Sequence, residues 1–226
     1  MGQMIELTAS DGHTLGAYRA DPAGAPRAGV VVIQEIFGVN AHIREVADDY
    51  AAQGYLAVAP ALFDRSRPGV ELGYDENAIA EGRDLAFAMD PDLPVLDIDA
   101  AVKAAASAGK VGVVGYCWGG SLTFMAACKL DVAAASGYYG GQIVAALERE
   151  PDLSPAAPLI MHFGEHDAGI PLDDVDRISK TFPEVPVYMY DAGHGFNCDH
   201  RGSYDEDSCR TARQRTLDFF ASHLGG

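Results

Sequence analysis

The 226-residue sequence predicts an α/β fold: a mainly parallel β-sheet with helices on both faces and an antiparallel hairpin at its N-terminal end. Three observations support this prediction. Short apolar runs, which suit strands buried on both faces, alternate with helical stretches. Asp11 and Gly12 lie between two β-rich segments, as in a β-hairpin. No repeat, low-complexity tract or linker divides the chain, so we expect a single domain over residues 1–226.

The predicted elements follow one another at short intervals along the chain. Strands are predicted at residues 5–8, 14–18, 29–34, 55–60, 110–115, 132–138, 158–163 and 185–190. Helices are predicted at residues 42–53, 76–89, 93–106, 118–129 and 208–224. Gly54 ends the first helix as a C-cap would, and Leu217, Phe220 and Leu224 fall on one face of the last helix. Residues 62–107 interrupt the regular alternation, and we expect this insertion to form a lid or a pocket wall.

The acidic composition argues against nucleic-acid and membrane partners. With 33 acidic and 16 basic residues, the formal net charge is −17. Such a surface repels polyphosphates and anionic lipid, so we expect no nucleic-acid or membrane partner. The first ten residues lack the basic and apolar regions of a secretory signal, and no apolar run is long enough to span a membrane. We therefore expect a cytoplasmic protein whose four cysteines are reduced.

The sequence GYCWGG at residues 115–120 joins a buried strand to a helix. It matches the G-x-S-x-G nucleophile elbow of the α/β-hydrolase fold, with Cys117 in place of serine. A sharp turn of this kind lifts the sulfur above the sheet at a helix N-terminus, where the helix dipole favours a thiolate. It also leaves the N–H of Trp118 free to stabilise an oxyanion. The alternative, a small buried cysteine, better describes Cys128 on the following helix.

Two later loops supply partners for a thiol nucleophile. In this fold an acid and then a histidine follow the nucleophile along the chain, each just after a strand. Asp167 follows strand 158–163, and His194 lies between glycines after strand 185–190. His194 would act as the base and then as the acid, and Asp167 would orient it. His166 is a rival base, but as the direct neighbour of Asp167 in the sequence it is poorly placed to form a hydrogen bond with that carboxylate.

The loop after strand 29–34 is the second source of an oxyanion donor. It reads QEIFGVN at residues 34–40, so the N–H of Ile36 is the candidate. Glu35 then lies within reach of the nucleophile and could accept its proton. On position alone, Glu35 could equally be a solvated loop acid.

Four motifs together resemble the dienelactone hydrolase (carboxymethylenebutenolidase) family. They are QEIFGVN at 34–40, GYCWGG at 115–120, YYG at 138–140 and AGHGF at 192–196. The similarity extends from the Asp11-Gly12 hairpin to RTLDFF at 215–220. It implies a Cys-His-Asp triad at Cys117, His194 and Asp167, oxyanion donors at Ile36 and Trp118, and no cofactor. It also implies that Glu35 pairs with the resting thiol and releases it when substrate binds.

The chain departs from that family where a substrate carboxylate would bind. The chlorocatechol-pathway enzymes of the family use an arginine four residues after the triad histidine, where this chain has Cys198. A second arginine lies early in the helix after the insertion, and residues 77–79 contain none. Arg83 and Arg201 are nearby candidates for these roles, and Phe37 is a further candidate for substrate contact. The alternative for both Arg83 and Arg201 is a solvated surface arginine with no role in substrate binding.

The resulting prediction is a hydrolase that cleaves a small-molecule lactone or ester through a thioester acyl-enzyme. A broad carboxylesterase or thioesterase is the main alternative within hydrolases. A thiol redox sensor or a ligand-binding protein is the alternative of a different class. The segment that holds His194, Cys198, Asp199, His200 and Cys209 also raises a zinc site or a Cys198–Cys209 disulfide as rivals. The sequence makes no prediction of oligomeric state.

Overall fold

A computed structural model describes residues 2–225. Its strands form one sheet with the order β1-β2-β4-β3-β5-β6-β7-β8. In chain order they are β1 (Gln3–Thr8), β2 (Thr14–Ala20), β3 (Gly29–Ile33), β4 (Leu56–Pro60), β5 (Val111–Tyr116), β6 (Ala134–Tyr138), β7 (Leu159–Gly164) and β8 (Val187–Tyr190). Strands β3 to β8 pair in parallel, and the β1–β2 hairpin joins β4 in antiparallel orientation. The predicted fold class is therefore confirmed.

Helices connect the strands and close the chain. They are α1 (Ala41–Ala52), α2 (Glu76–Ala88), α3 (Leu93–Ala105), α4 (Trp118–Lys129), α5 (Ile143–Arg149), α6 (Leu172–Thr181) and α7 (Glu206–Leu224). Helix α7 begins two residues earlier than predicted, because the Asp205 carboxylate accepts a hydrogen bond from the N–H of Ser208 and caps it. Between residues 2 and 225 no helix combines the length and the apolar character needed to cross a membrane.

The helices cover both faces of the sheet, and two glycines of β5 show how. A Cβ at Gly112 would meet Phe220 of α7, whereas a Cβ at Gly115 would meet Thr123 of α4. Residues three apart on a strand face opposite sides, so α7 and α4 lie on opposite faces. Tyr50 of α1 packs near Phe220, with 6.2 Å between the ring centroids, which places α1 beside α7.

The segment at residues 62–107 divides into two parts. Helix α3 packs against β3 and β4, so it covers the sheet as an ordinary crossover helix does. Helix α2 lies instead against the loop after β3, because a Cβ at Gly82 would lie 2.0 Å from the carbonyl oxygen of Ile36. A buried ion pair links the start of the segment to α3, because Arg65 donates two hydrogen bonds of 2.7 Å to Asp97. The side chain of Asp97 is fully buried, so this bidentate pair provides its charge partner.

Gly115 and Gly119 flank the turn between β5 and α4, at positions where a side chain would collide with backbone. A Cβ at Gly115 would lie 2.2 Å from the carbonyl oxygen of Gly119. A Cβ at Gly119 would lie 2.5 Å from the carbonyl oxygen of Gln34, just after β3. Both distances are well inside van der Waals contact, so only glycine lets α4 approach the sheet this closely.

Replacing Gly119 with alanine should destabilise the protein by about 1–3 kcal/mol, because the backbone after β3 must move away from α4. Gly73→Ala is the matched control, since a Cβ at Gly73 meets no atom within 4 Å. Urea unfolding followed by circular dichroism measures both variants. Equal unfolding midpoints for the two variants would contradict the close approach of α4 to β3.

Candidate active site

Cys117 occupies the turn between β5 and α4 in an unusual backbone conformation. Its φ of 57° and ψ of −118° lie in the left-handed half of the map, which residues other than glycine rarely adopt. Two hydrogen bonds hold this conformation: the Cys117 N–H donates to Tyr138 at 3.0 Å, and the Gly120 N–H donates to the Cys117 carbonyl at 2.9 Å. The half-buried sulfur therefore lies at the carboxyl edge of the central strand and at the N-terminus of α4.

The loops after β7 and β8 bring Asp167 and His194 to the same edge of the sheet. The Nε2 atom of His194 lies 3.1 Å from the Cys117 sulfur. Its Nδ1 atom lies 2.7 Å from Oδ2 of Asp167, whose other oxygen accepts the N–H of Gly169 at 2.8 Å. The three side chains predicted from the sequence thus form one continuous chain of hydrogen bonds.

The groups that are hydrogen-bonded to His194 change the pKa of its imidazole. Burial by itself lowers the pKa of His194, but the hydrogen bonds to Asp167 and to Cys117 outweigh it and raise that pKa to about 10. His194 is therefore protonated at neutral pH. An imidazolium this close to sulfur stabilises a thiolate, the nucleophilic form of cysteine.

His166, the rival base considered from the sequence, points elsewhere. Its Nε2 atom lies 2.6 Å from Oδ1 of Asp191, and both side chains are exposed. This pair is separate from the chain of hydrogen bonds at Cys117.

Ile36 and Trp118, the residues predicted to supply the oxyanion donors, line a cavity of about 360 Å³ together with Cys117 and His194. Within residues 2–225, neither the N–H of Ile36 nor that of Trp118 donates to an acceptor. Trp118 is the first residue of α4, so its N–H has no partner inside the helix. Two residues with unpaired backbone N–H groups therefore line the same cavity as Cys117.

Glu35 is not paired with the resting thiol in this structure, contrary to what the family resemblance implied. Its Oε1 atom accepts a hydrogen bond from Nη1 of Arg201 at 2.9 Å, and the Cys117 sulfur contacts His194 instead. The physical reason is charge: Glu35 is only 1% exposed, and a buried carboxylate is best stabilised by a guanidinium. Arg201 lies 166 residues away in sequence, so this partner was not predictable from local pattern.

Arg201 is largely but not fully buried, so the alternative that it is a solvated surface arginine is not supported. Its side chain is 16% exposed, and its guanidinium lies 5.5 Å from the ring centre of Phe37. Arg201, Phe37 and Arg83 all line the cavity at Cys117. Arg83 is exposed and has no carboxylate within ion-pair distance in the part of the chain that the structure describes.

Helix α2 forms one side of this cavity through Ile79, Arg83 and Phe87. A second cavity of about 390 Å³ adjoins the first and shares Phe87 and Trp118 with it. Phe87, which the sequence analysis did not single out, is 58% exposed although it is a large apolar residue. An exposed phenylalanine on a helix is only a weak signal in the sequence, because single exposed apolar residues are common.

The zinc and disulfide rivals raised from the sequence are not supported by the arrangement of their residues. Cys198 and Cys209 are both free thiols, so the disulfide is not formed. Both ring nitrogens of His194 are engaged by Cys117 and Asp167. Asp199 and His200 lie instead with His42 and Glu45 of α1.

Comparisons with known proteins agree with the observed fold. The sequence model of the dienelactone hydrolase family matches residues 15–224. A carboxymethylenebutenolidase of Pseudomonas putida is 38% identical over 226 residues, which cover 96% of this chain and 95% of that protein. A putative carboxymethylenebutenolidase of Synechocystis sp. is 34% identical and covers 93% of this chain and 92% of its own length.

A solved structure has a similar fold over nearly the whole chain. The crystal structure of a putative dienelactone hydrolase from Klebsiella pneumoniae has a TM-score of 0.79 and 31% sequence identity. The alignment covers 98% of this chain and 100% of that chain. Matches of this length include the strands that carry the site as well as the helices around it. The chain therefore belongs to the dienelactone hydrolase family and is a hydrolase of ester or lactone bonds.

Proposed function

We propose that this hydrolase cleaves lactones and esters through Cys117, with His194 as the acid and base and Asp167 as its orienting carboxylate. The supporting observation is the pair of distances at His194: 3.1 Å from Nε2 to the sulfur and 2.7 Å from Nδ1 to Asp167. A nucleophile, a base and an orienting group within hydrogen-bond reach are the elements that acyl transfer needs.

In the proposed reaction the Cys117 thiolate attacks the carbonyl carbon, and the carbonyl electron pair moves onto oxygen. The N–H groups of Ile36 and Trp118 would stabilise that oxyanion. Collapse of the intermediate breaks the carbon–oxygen bond, and His194 gives its proton to the leaving oxygen. The product of this half-reaction is a thioester on Cys117; for a lactone, the leaving oxygen stays within the same molecule.

Water completes the cycle in the second half-reaction. Neutral His194 removes a proton from water, and the resulting hydroxide attacks the thioester carbonyl. Collapse of this second intermediate expels the Cys117 thiolate and releases the carboxylic acid. The proton stays on His194, so the resting ion pair is restored without any cofactor.

Glu35 has a different role in this proposal from the one the resemblance implied. Its contact with Arg201 holds that guanidinium at the cavity wall, near Phe37. A substrate carboxylate could then compete with Glu35 for Arg201, which would free Glu35 to approach the thiol. Arg83 is the second candidate for carboxylate binding, because it lines the same cavity. Arg83, which forms no ion pair within residues 2–225, offsets locally the overall charge of −17, which repels anions.

We further propose that α2 is the pocket wall of the single domain, and that α3 belongs to the layer around the sheet. Ile79, Arg83 and Phe87 of α2 line the cavity, which supports this assignment. The relatives named carboxymethylenebutenolidase support a lactone as the substrate class.

A broad carboxylesterase or thioesterase is the second candidate, and one observation favours it. The adjoining cavity of about 390 Å³ is lined mainly by apolar residues, which include Met89, Leu122 and Met125. It could accept an acyl chain or an aryl group larger than a small lactone, because apolar pockets contribute affinity in proportion to the area they bury.

Cys117→Ala should reduce hydrolysis of every substrate by a factor of about 10³ or more, because the residual oxyanion donors cannot replace the nucleophile. The assay compares a dienelactone, a short aryl ester and a thioester, with initial rates measured for each. Cys128→Ala is the control, since Cys128 is also a free cysteine of α4 but lies outside both cavities. Turnover that survives in Cys117→Ala would contradict the proposed nucleophile, and single labelling without turnover in the wild type would indicate a sensor.

Arg83→Ala should raise KM for a carboxylate-bearing aryl ester by roughly tenfold, since each charged hydrogen bond contributes about 1.5–3 kcal/mol before solvent screening. The KM of the matched neutral ester, such as a butyrate against a hemisuccinate, should change by less than about twofold. Steady-state kinetics on the two esters gives both values. Equal effects on both esters would mean that Arg83 shapes the cavity without recognising the carboxylate.

A further inference from the structure

A second group of ligand-type side chains lies away from the cavity at Cys117. Helix α1 contributes His42 and Glu45, which are three residues apart and therefore on one face of the helix. The loop after His194 contributes Asp199 and His200. One nitrogen or oxygen atom from each of the four lies within 4.8 Å of the others.

The spacing within this group is close to that of a coordination sphere. Nδ1 of His42 lies 3.4 Å from Oδ1 of Asp199, and Nε2 of His200 lies 3.9 Å from that same oxygen. Nε2 of His200 lies 2.8 Å from Oε2 of Glu45. Ligands about 2.0–2.1 Å from a tetrahedral zinc ion are roughly 3.3 Å apart. The Glu45, Asp199 and His200 side chains are partly or largely exposed, so the small adjustments required cost little packing.

His42 provides independent support, because it is buried and has no hydrogen bond. It is 4% exposed, and its Nε2 atom has no partner in the described part of the chain. A buried polar atom without a partner costs about 1–3 kcal/mol, so such atoms call for an explanation. The other ring nitrogen, Nδ1, faces Asp199 and hence the group of four.

Glu35, which lies near His42, also has a buried polar atom without a hydrogen-bond partner among the residues that the structure describes. Its Oε2 atom is also buried without a partner in residues 2–225, although Oε1 binds Arg201. Glu35, His42 and Cys198 each offer one ligand-type atom within 4.8 Å of the others. A histidine that binds a metal through one nitrogen commonly directs its other N–H toward a carboxylate. A metal at Nδ1 would leave the proton of His42 on Nε2, and Glu35 is a carboxylate close to this histidine.

Space and charge favour a cation at this position. A cavity of about 190 Å³ is lined by His42, Glu45 and Asp199, so the group can be reached without opening the core. Two carboxylates within the group and a net charge of −17 over the whole chain attract cations.

We propose that His42, Glu45, Asp199 and His200 bind one divalent transition-metal ion of the zinc type. Two imidazoles and two carboxylates suit Zn²⁺, whereas Mg²⁺ and Ca²⁺ prefer sites made of oxygen alone. The site is independent of the reaction at Cys117, because none of its four ligands lines that cavity. It differs from the zinc set considered from the sequence, since two ligands come from α1 and neither Cys209 nor His194 takes part.

The test is calorimetric titration of tag-free, chelator-treated Cys117→Ala protein with ZnCl₂. The Cys117→Ala background removes the thiol that would otherwise compete for zinc beside His194. The expected result is one Zn²⁺ per chain, with an affinity that falls by about 10-fold or more in His200→Ala and in Asp199→Ala. MgCl₂ should give no comparable heat. Circular dichroism of each variant checks that the fold is retained.

His223→Ala is the matched control, because His223 is a histidine of α7 outside the group of four. Its zinc affinity should stay within about twofold of the background protein. Absence of zinc binding, or an affinity that is unchanged in both His200→Ala and Asp199→Ala, would overturn the proposal. An equal loss in His223→Ala would overturn it as well, since it would indicate binding by surface histidines in general.

Discussion

The sharp turn between β5 and α4 is the constraint on which the site depends. It is possible because Gly115 and Gly119 allow α4 to approach the ends of the neighbouring strands. The turn holds Cys117 at a φ of 57° and directs its sulfur to the carboxyl edge of the sheet. The same turn leaves the N–H of Trp118 without an acceptor. One local feature of the backbone thus provides the sulfur, the helix dipole and one of the two unpaired donors.

The loops of parallel strands complete what the turn begins. Because β3, β5, β7 and β8 run in the same direction, the loops that follow them meet at one edge of the sheet. Glu35 and Ile36 come from the first of these loops, and Asp167 and His194 come from the last two. The ion pair of Glu35 and Arg201 lies near this edge, because Arg201 lines the same cavity as Cys117. Glu35 also lies close to His42, one of the proposed metal ligands.

The sequence was sufficient where a residue's role depends on its immediate neighbours. The fold class, the hairpin and the positions of Cys117, Asp167 and His194 could all be predicted, since each rests on a strand, a turn or a glycine nearby in the chain. Strand β8 was predicted two residues too long at its start, because apolar residues continue outside the ladder. Helix α5 was missed, since its seven residues provide less than two full turns of periodic pattern.

Long-range pairings could not be predicted in this way. The contact of Glu35 with Arg201 joins residues 166 positions apart, and the group around His42 joins α1 to a loop more than 150 residues later. No periodicity or motif specifies such partners; they follow from where the loops of the sheet converge. Glu35 is the clearest example, because its partner is the guanidinium of Arg201 and not the expected thiol of Cys117.

The central claim is that protonated His194 keeps the Cys117 sulfur in its reactive form. The most direct measurement is the rate of Cys117 alkylation by iodoacetamide against pH, resolved by peptide mass spectrometry in wild type and His194→Ala. Because the pKa of His194 is raised to about 10, its imidazolium is present from about pH 6 to about pH 9, and over this range wild type should be alkylated faster than His194→Ala. Equal alkylation rates of the two proteins over this range would contradict the account.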